Sequence, residues 1–173
     1  MTTLITGGAK CGKSRLAEKL LDDFTGSKIY IATMMPYGEE ALAAIARHRK
    51  IRAGKHFMTI DRYTDLDKTE FSENCGILLE CMANLCANEM FRGEDICDPT
   101  ENILRGIIHL QKHAEKLVIV TNNVGSDGIE YSGGTAGYIE VMGRLNARTA
   151  ELCDNVIECV YGVPVVLKGK LCF

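Results

Sequence analysis

Three groups of residues in this sequence could do chemistry together. The first is Gly7-Gly8-Ala9-Lys10-Cys11-Gly12-Lys13-Ser14, a G-x-x-x-x-G-K-S run. Glycine at 7, 8 and 12 permits positive φ and a close approach of backbone to an anion. The N–H groups of such a loop converge as a nest. Lys13 then supplies a point charge for the β- and γ-phosphates of a nucleoside triphosphate, and the Ser14 hydroxyl is suited to ligate Mg²⁺. The second group is Arg47-His48-Arg49-Lys50, with Arg52 close behind. An imidazole can attack phosphorus, and cations beside it, Arg47 and Arg49 first, would offset charge building on the phosphoryl group. A solvated basic helix end is the plainer reading of the same run. The third is Glu80, which closes the apolar run Gly76-Ile77-Leu78-Leu79. A carboxylate there can order a metal-bound water or accept a proton. Lys13 and Glu80 are therefore expected catalytic residues, and His48 joins them if the basic run is a triphosphate-facing site and not a solvated helix end. The loop residues 7–14, Thr33, Arg47, Arg49 and Glu80 are the expected nucleotide contacts, and Ser14 and Glu80 the expected metal ligands.

These residues need a scaffold, and the apolar pattern supplies one. Leu4-Ile5 reads as a short buried strand leading into the glycine loop. Leu16, Leu20, Leu21 and Phe24 recur at helical spacing after it, so a helix dipole points at the loop. Residues 27–33 form a second strand, and strand–helix–strand order implies a right-handed crossover and a parallel sheet. Glu39 and Glu40 open a helix that ends in the basic run around His48. Further strands are predicted over 56–61, 76–81 and 117–121, and helices over 66–74, 82–91, 102–116 and 136–154. His109 and His113, an i, i+4 pair, are placed on a solvated helix face. The glycine-rich stretch 122–134 should wall the site. Val156–Val160 and Val163–Leu167 close the chain as a hairpin turning at Tyr161-Gly162. The expected fold is α/β, of the P-loop NTPase (RecA-like) type, with a mostly parallel sheet, helices on both faces and a C-terminal hairpin. No linker, repeat or low-complexity stretch divides residues 1–173, which reads as one domain.

Composition narrows the function. A net charge of −3 argues against a general nucleic-acid binder. No apolar run is long enough for a membrane-spanning helix, and no signal peptide precedes the first strand, so a cytoplasmic protein is expected. The eight cysteines form no C-x-x-C pair and no zinc-type spacing with histidine. They read as reduced thiols, several of them small apolar core residues. Cys11 differs, because it lies inside the phosphate loop beside a helix N-terminus, a setting of reactive cysteines.

Taken in order, the motifs resemble the bifunctional adenosylcobinamide kinase/adenosylcobinamide-phosphate guanylyltransferase family of cobalamin biosynthesis. Residues 6–15 are similar to that family's T-G-G-A-R-S-G-K-S-R. Tyr30-Ile31-Ala32-Thr33 matches its Y-I-A-T, and Ile45 to Arg49 its R-I-x-x-H, with Ala44 in place of the first arginine. Leu78-Leu79-Glu80-Cys81 with Asn88 matches L-[DE]-C followed by asparagine. Val120-Thr121-Asn122 with Val124-Gly125 matches V-T-N-E-V-G, and Gly143 to Asn146 its G-x-x-N helix. Gly162, Pro164 and Lys168 fit the last hairpin. The resemblance implies a nucleoside triphosphate (ATP or GTP) phosphorylating the hydroxyl of adenosylcobinamide. It then implies GTP guanylylating His48 and GMP passing to the cobinamide phosphate, in a homotrimer. Asn123 replaces the family's glutamate, Phe57 its tryptophan, and Glu140 stands for an aspartate. The loop 125–131 lacks its proline, and 132–139 lacks its arginines. Beside the bifunctional enzyme stand two alternatives: an enzyme retaining one step, or a nucleotide-binding regulatory protein. Intact Gly12, Lys13, Ser14, His48 and Glu80 argue against the regulatory protein.

Overall fold

The computed structural model describes residues 1–71 and 74–171, with the backbone alone at 51–52. Seven strands form one sheet in the order β3-β2-β4-β5-β1-β6-β7. They are β1 (Thr2–Thr6), β2 (Lys28–Ala32), β3 (Phe57–Asp61), β4 (Cys75–Leu79), β5 (Ala114–Val120), β6 (Asn155–Val160) and β7 (Val163–Lys168). All neighbouring pairs are parallel except β6–β7, the antiparallel hairpin. The helices are α1 (Lys13–Lys19), α2 (Gly38–Arg52), α3 (Met82–Met90), α4 (Thr100–His113) and α5 (Gly133–Leu152). This is the α/β P-loop architecture that the sequence predicts. No helix among the described residues is long and apolar enough to cross a membrane.

Strand alternation divides the core in two, because successive side chains point to opposite faces. Leu4, Ile29, Ile31, Ile77, Leu79, Leu117 and Ile119 pack one face against α3, α4 and α5. Ile5, Tyr30, Leu78, Val118, Val120 and Ile157 pack the other face against Leu16, Ala17, Leu20 and Leu21. Both faces are thus dry along the central strands, which explains their continuous apolar runs. Cys75, Cys86, Cys153 and Cys159 are buried here. Burial pushes the Cys86 and Cys153 thiols up to about 12, so neither ionises near neutrality. Cys172 lies outside the described residues.

Three sequence expectations change. The helix over 66–74 is a single 3-10 turn, Leu66–Lys68, with 72–73 outside the described residues. Asp65 enters that turn at φ 51, the Thr69 hydroxyl closes it on the Leu66 carbonyl at 2.9 Å, and the buried Leu66 seats against Gly106 of α4. The expected helix to residue 116 stops at His113, because Ala114 and Lys116 pair with Cys75 and Gly76 as β5 begins. His109 and His113 are not on a solvated face. Their half-buried rings lie 4.6 Å apart between centroids, and both pack on Phe71.

The α4 N-terminus carries a cap that sets a measurable stability. Asp98 Oδ1 accepts from the Thr100 N–H at 2.9 Å and from its hydroxyl at 2.5 Å. These bonds, with Arg144 nearby, hold the Asp98 carboxyl below the usual range. A depressed folded-state pKa contributes stability above the unfolded value and loses it as pH falls through the folded value. Asp98→Ala should therefore destabilise the protein by about 1 kcal/mol near neutrality. The difference in urea midpoint from the parent should shrink as pH drops below about 4.

Candidate active site

In a parallel sheet the C-terminal strand ends share one edge, and ligands bind there. That edge gathers the loop after β1, Thr33 after β2, Glu80 after β4 and Asn122 after β5. A cavity of about 710 Å³ opens on it, lined among others by Lys13, Ser14, His48, Glu80, Asn84 and Asn122.

The phosphate loop is built as the spacing predicts, with one exchange. Gly7 and Gly12 take φ 142 and 104, but the third left-handed residue is Lys10, at φ 57, and not Gly8. A Cβ at Gly7 would sit 2.5 Å from the carbonyl oxygen of Cys159, so β6 itself excludes a side chain there. The Lys13 ammonium donates to the carbonyls of Gly7 at 2.9 Å and Gly8 at 2.5 Å. That side chain is 6% exposed, so its charge is concentrated at the loop instead of dispersed in solvent. Ser14 is exposed in the first turn of α1, on the cavity.

Glu80 follows β4 directly, and its N–H donates to the Ile31 carbonyl at 3.0 Å. Its two carboxylate oxygens have separate partners. Oε2 accepts from the Thr33 N–H at 3.2 Å, and Oε1 lies 3.4 Å from His48 Nδ1. Thr33 is therefore not a lining residue: it is fully buried and holds Glu80, with its hydroxyl donating to the Cys81 carbonyl. Asn88 Nδ2 fixes the same strand end by donating to the carbonyls of Thr33 at 2.8 Å and Tyr63 at 3.0 Å. Behind Asn122, the Thr121 hydroxyl donates to Asn146 Oδ1 at 2.7 Å and Asn146 Nδ2 donates back to the Asn122 carbonyl. This gives the asparagine of the G-x-x-N run its place.

The helix that presents His48 is fastened differently. None of the described side chains of α2 is buried. Its ties are polar: His48 to Glu80, Arg49 to Asp61 at 3.5 Å, and, just past its end, Lys55 to Glu18 at 2.5 Å. Arg49 thus lies on a groove beside β3, away from the cavity, and exposed Arg47 is also outside the lining. The sequence reading of both as nucleotide contacts is not matched by their placement. The side chain of Arg52 is outside the described residues. Of the stretch 122–134, expected to wall the site, Asn122 alone is in the lining; Val124 packs partly buried on the core and 125–133 is exposed.

Sequence reasoning missed Arg15, Glu18, Lys55 and Asn84 as cavity residues. One signal was available. Glu18 is an acid among Leu16, Ala17, Leu20 and Leu21, and a carboxylate on an apolar helix face needs a partner. It has Lys55.

Comparisons with known proteins place the chain in a family. The family described as cobinamide kinase / cobinamide phosphate guanyltransferase matches residues 3–167. The chain belongs to that family. It is 32% identical to the bifunctional adenosylcobalamin biosynthesis protein CobU of Escherichia coli (strain K12), over 97% of this chain and all of the relative. It is 31% identical to the protein of the same description from Salmonella typhimurium, over 97% of this chain and 100% of the relative. It is 30% identical to the bifunctional adenosylcobalamin biosynthesis protein CobP of Pseudomonas aeruginosa, over 98% of this chain and 99% of the relative. A member of the cobinamide kinase / guanyltransferase family is an enzyme, a kinase and nucleotidyltransferase acting on nucleoside triphosphates.

Proposed function

We propose that this enzyme runs both of the family's reactions in the one cavity, with His48 carrying GMP between them. The observation that supports the reading most is the pairing of His48 Nδ1 with Glu80 Oε1 at 3.4 Å on the cavity that holds the phosphate loop. A carboxylate at Nδ1 holds the proton there and leaves the Nε2 lone pair free to react.

In the kinase reaction the acceptor is the hydroxyl of adenosylcobinamide. Its oxygen attacks the γ-phosphorus, the bond to the bridging oxygen breaks, and the hydroxyl proton is lost to a base. Lys13 and the loop N–H groups stabilise the charge of this transfer and position the triphosphate. In the second reaction His48 Nε2 attacks the α-phosphorus of GTP, and the bond to the β-phosphate breaks to release pyrophosphate. The imidazole becomes positive, and the Glu80 carboxylate at Nδ1–H offsets that charge. An oxygen of the cobinamide phosphate then attacks the same phosphorus, the P–N bond breaks, and neutral His48 returns. The product is adenosylcobinamide-GDP.

Ser14 and Glu80 would hold Mg²⁺, which lends the phosphates charge neutralisation. Two hard oxygen donors facing one cavity suit an ion that takes its other ligands from phosphate and water. Among the described residues no group of three or more His, Cys, Asp or Glu competes for it. The assembly that goes with this reading is a homotrimer.

Incubation with GTP labelled at the α-phosphate, with and without adenosylcobinamide, tests the scheme. An acid-labile, base-stable GMP adduct should map to His48 and chase into adenosylcobinamide-GDP. An adduct on His56, His109 or His113 would reject the assignment. Glu80→Gln should slow adduct formation on the order of 10²-fold, the contribution of a positioned acid–base partner. An unchanged rate would remove Glu80 from the mechanism.

A further inference from the structure

We propose that Cys11 and Cys159 form a reversible oxidation site beneath the phosphate loop, converted by hydroperoxides into an intramolecular disulfide that blocks nucleotide binding. The residues are far apart in sequence and are brought together by the β1–β6 pairing. The Cys159 thiol donates to the Cys11 carbonyl at 3.2 Å. The Cys11 sulfur turns inward: a Cβ at Gly7 would meet it at 3.0 Å, and it packs on the same apolar cluster that contains Cys159. Burial, then a hydrogen bond with the Cys11 thiol, push the Cys159 thiol up. The other described hydrogen bonds of cysteine sulfurs join no second cysteine. Cys81 accepts from the Asn84 N–H and from Asn122, and Cys97 donates to the Glu89 carbonyl.

Access and reactivity are divided between the two thiols. Cys11 is half-buried on the cavity lining, and the Lys13 ammonium lies 3.8 Å from its sulfur. That ammonium would offset negative charge building as the sulfur attacks. Cys159 is 1% exposed and so is shielded from a soluble oxidant. Phosphate binding does not call for a thiol here, since the family pattern has serine at this loop position.

The step balances. The Cys11 sulfur attacks the peroxide oxygen, the O–O bond breaks, and the alcohol or water leaves with a proton, giving a sulfenic acid. The Cys159 sulfur attacks that sulfur, the S–O bond breaks, and hydroxide leaves, taking the Cys159 proton as water. Two thiols are oxidised by two electrons and one peroxide is reduced by two. Closing the sulfurs to about 2.05 Å draws Cys11 onto β6. Cys11 is also where the loop is already clamped, its carbonyl accepting from the Gly162 N–H at 2.8 Å. The loop N–H groups and Lys13 then leave the arrangement that receives a triphosphate.

The inhibitory consequence rests on the loop being the nucleotide site, whereas the thiol chemistry does not. The full-length protein is treated with hydrogen peroxide, digested without reduction and mapped. The result expected is a Cys11–Cys159 linked peptide, with GTP affinity reduced by about tenfold or more and restored by dithiothreitol. In Cys159→Ser, or Cys159→Ala if the serine variant does not fold, dimedone should label Cys11 to an extent the parent never reaches, because no resolving thiol remains. Free thiols after treatment, or linkage between other cysteines, overturn the site. A mapped Cys11–Cys159 link with unchanged GTP affinity overturns the block. If the reduced protein binds no GTP, the nucleotide reading fails and takes the block with it, while the peptide map still decides the linkage.

Discussion

His48→Ala is expected to abolish the GMP adduct while phosphoryl transfer to adenosylcobinamide continues. Loss of a covalent nucleophile costs on the order of 10⁴-fold or more, because no other group can form the intermediate. Direct transfer of the γ-phosphoryl group uses no protein nucleophile and depends on positioning and charge stabilisation by the loop. The two activities should therefore separate in one variant. The α2 helix buries none of its described side chains, so removing an imidazole from it should leave the core intact. The measurement is paired: label from GTP retained on the protein, and adenosylcobinamide phosphate formed with ATP. Loss of both activities in a variant that stays folded and binds nucleotide would reject the division of labour. A protein that forms the adduct but never phosphorylates adenosylcobinamide would be the one-step enzyme.

Lys13→Ala should damage both activities together, by about 10²–10³-fold in turnover, as for removal of one preorganised donor to a developing anion. The reason lies in its placement. The ammonium is nearly buried and tied to the carbonyls of Gly7 and Gly8, so its position is fixed before substrate arrives. Its loss also removes the shared donor from both carbonyls, leaving Gly7 with the Asn123 N–H at 3.2 Å, and loosens the loop. GTP affinity should fall with turnover, measured by titration and by single-turnover kinetics. Unchanged affinity and rate would move the triphosphate away from this loop.

Much of this enzyme was legible in sequence because the responsible forces are local. A strand, a glycine turn and a helix within residues 2–19 define the phosphate loop, since its anion nest is made of consecutive N–H groups. Continuous apolar runs placed the central strands, because burial on two faces is written into each strand separately. The Tyr161-Gly162 turn was readable because positive φ at two successive residues, 50 and 83, belongs to short hairpins. The order of motifs was enough to reach the family.

The partners of each site residue were decided only by the tertiary structure. His48 meets Glu80 because β2 lies beside β4 and α2 returns over their ends, and no periodicity encodes strand order. Thr33 supports Glu80 where a nucleotide contact was expected, and Arg49 pairs with Asp61, because each side chain answers to what the crossover sets beside it. In sequence the last hairpin reads only as the close of the chain. Folded, its Gly162 N–H and Cys159 thiol hold the Cys11 carbonyl and brace the phosphate loop from a separation of about 150 residues. Local pattern therefore determined which elements form and where the loop lies. The pairing of strand ends determined the charges and thiols that stand around it, because those contacts join residues whose separation in the chain carries no signal of their proximity.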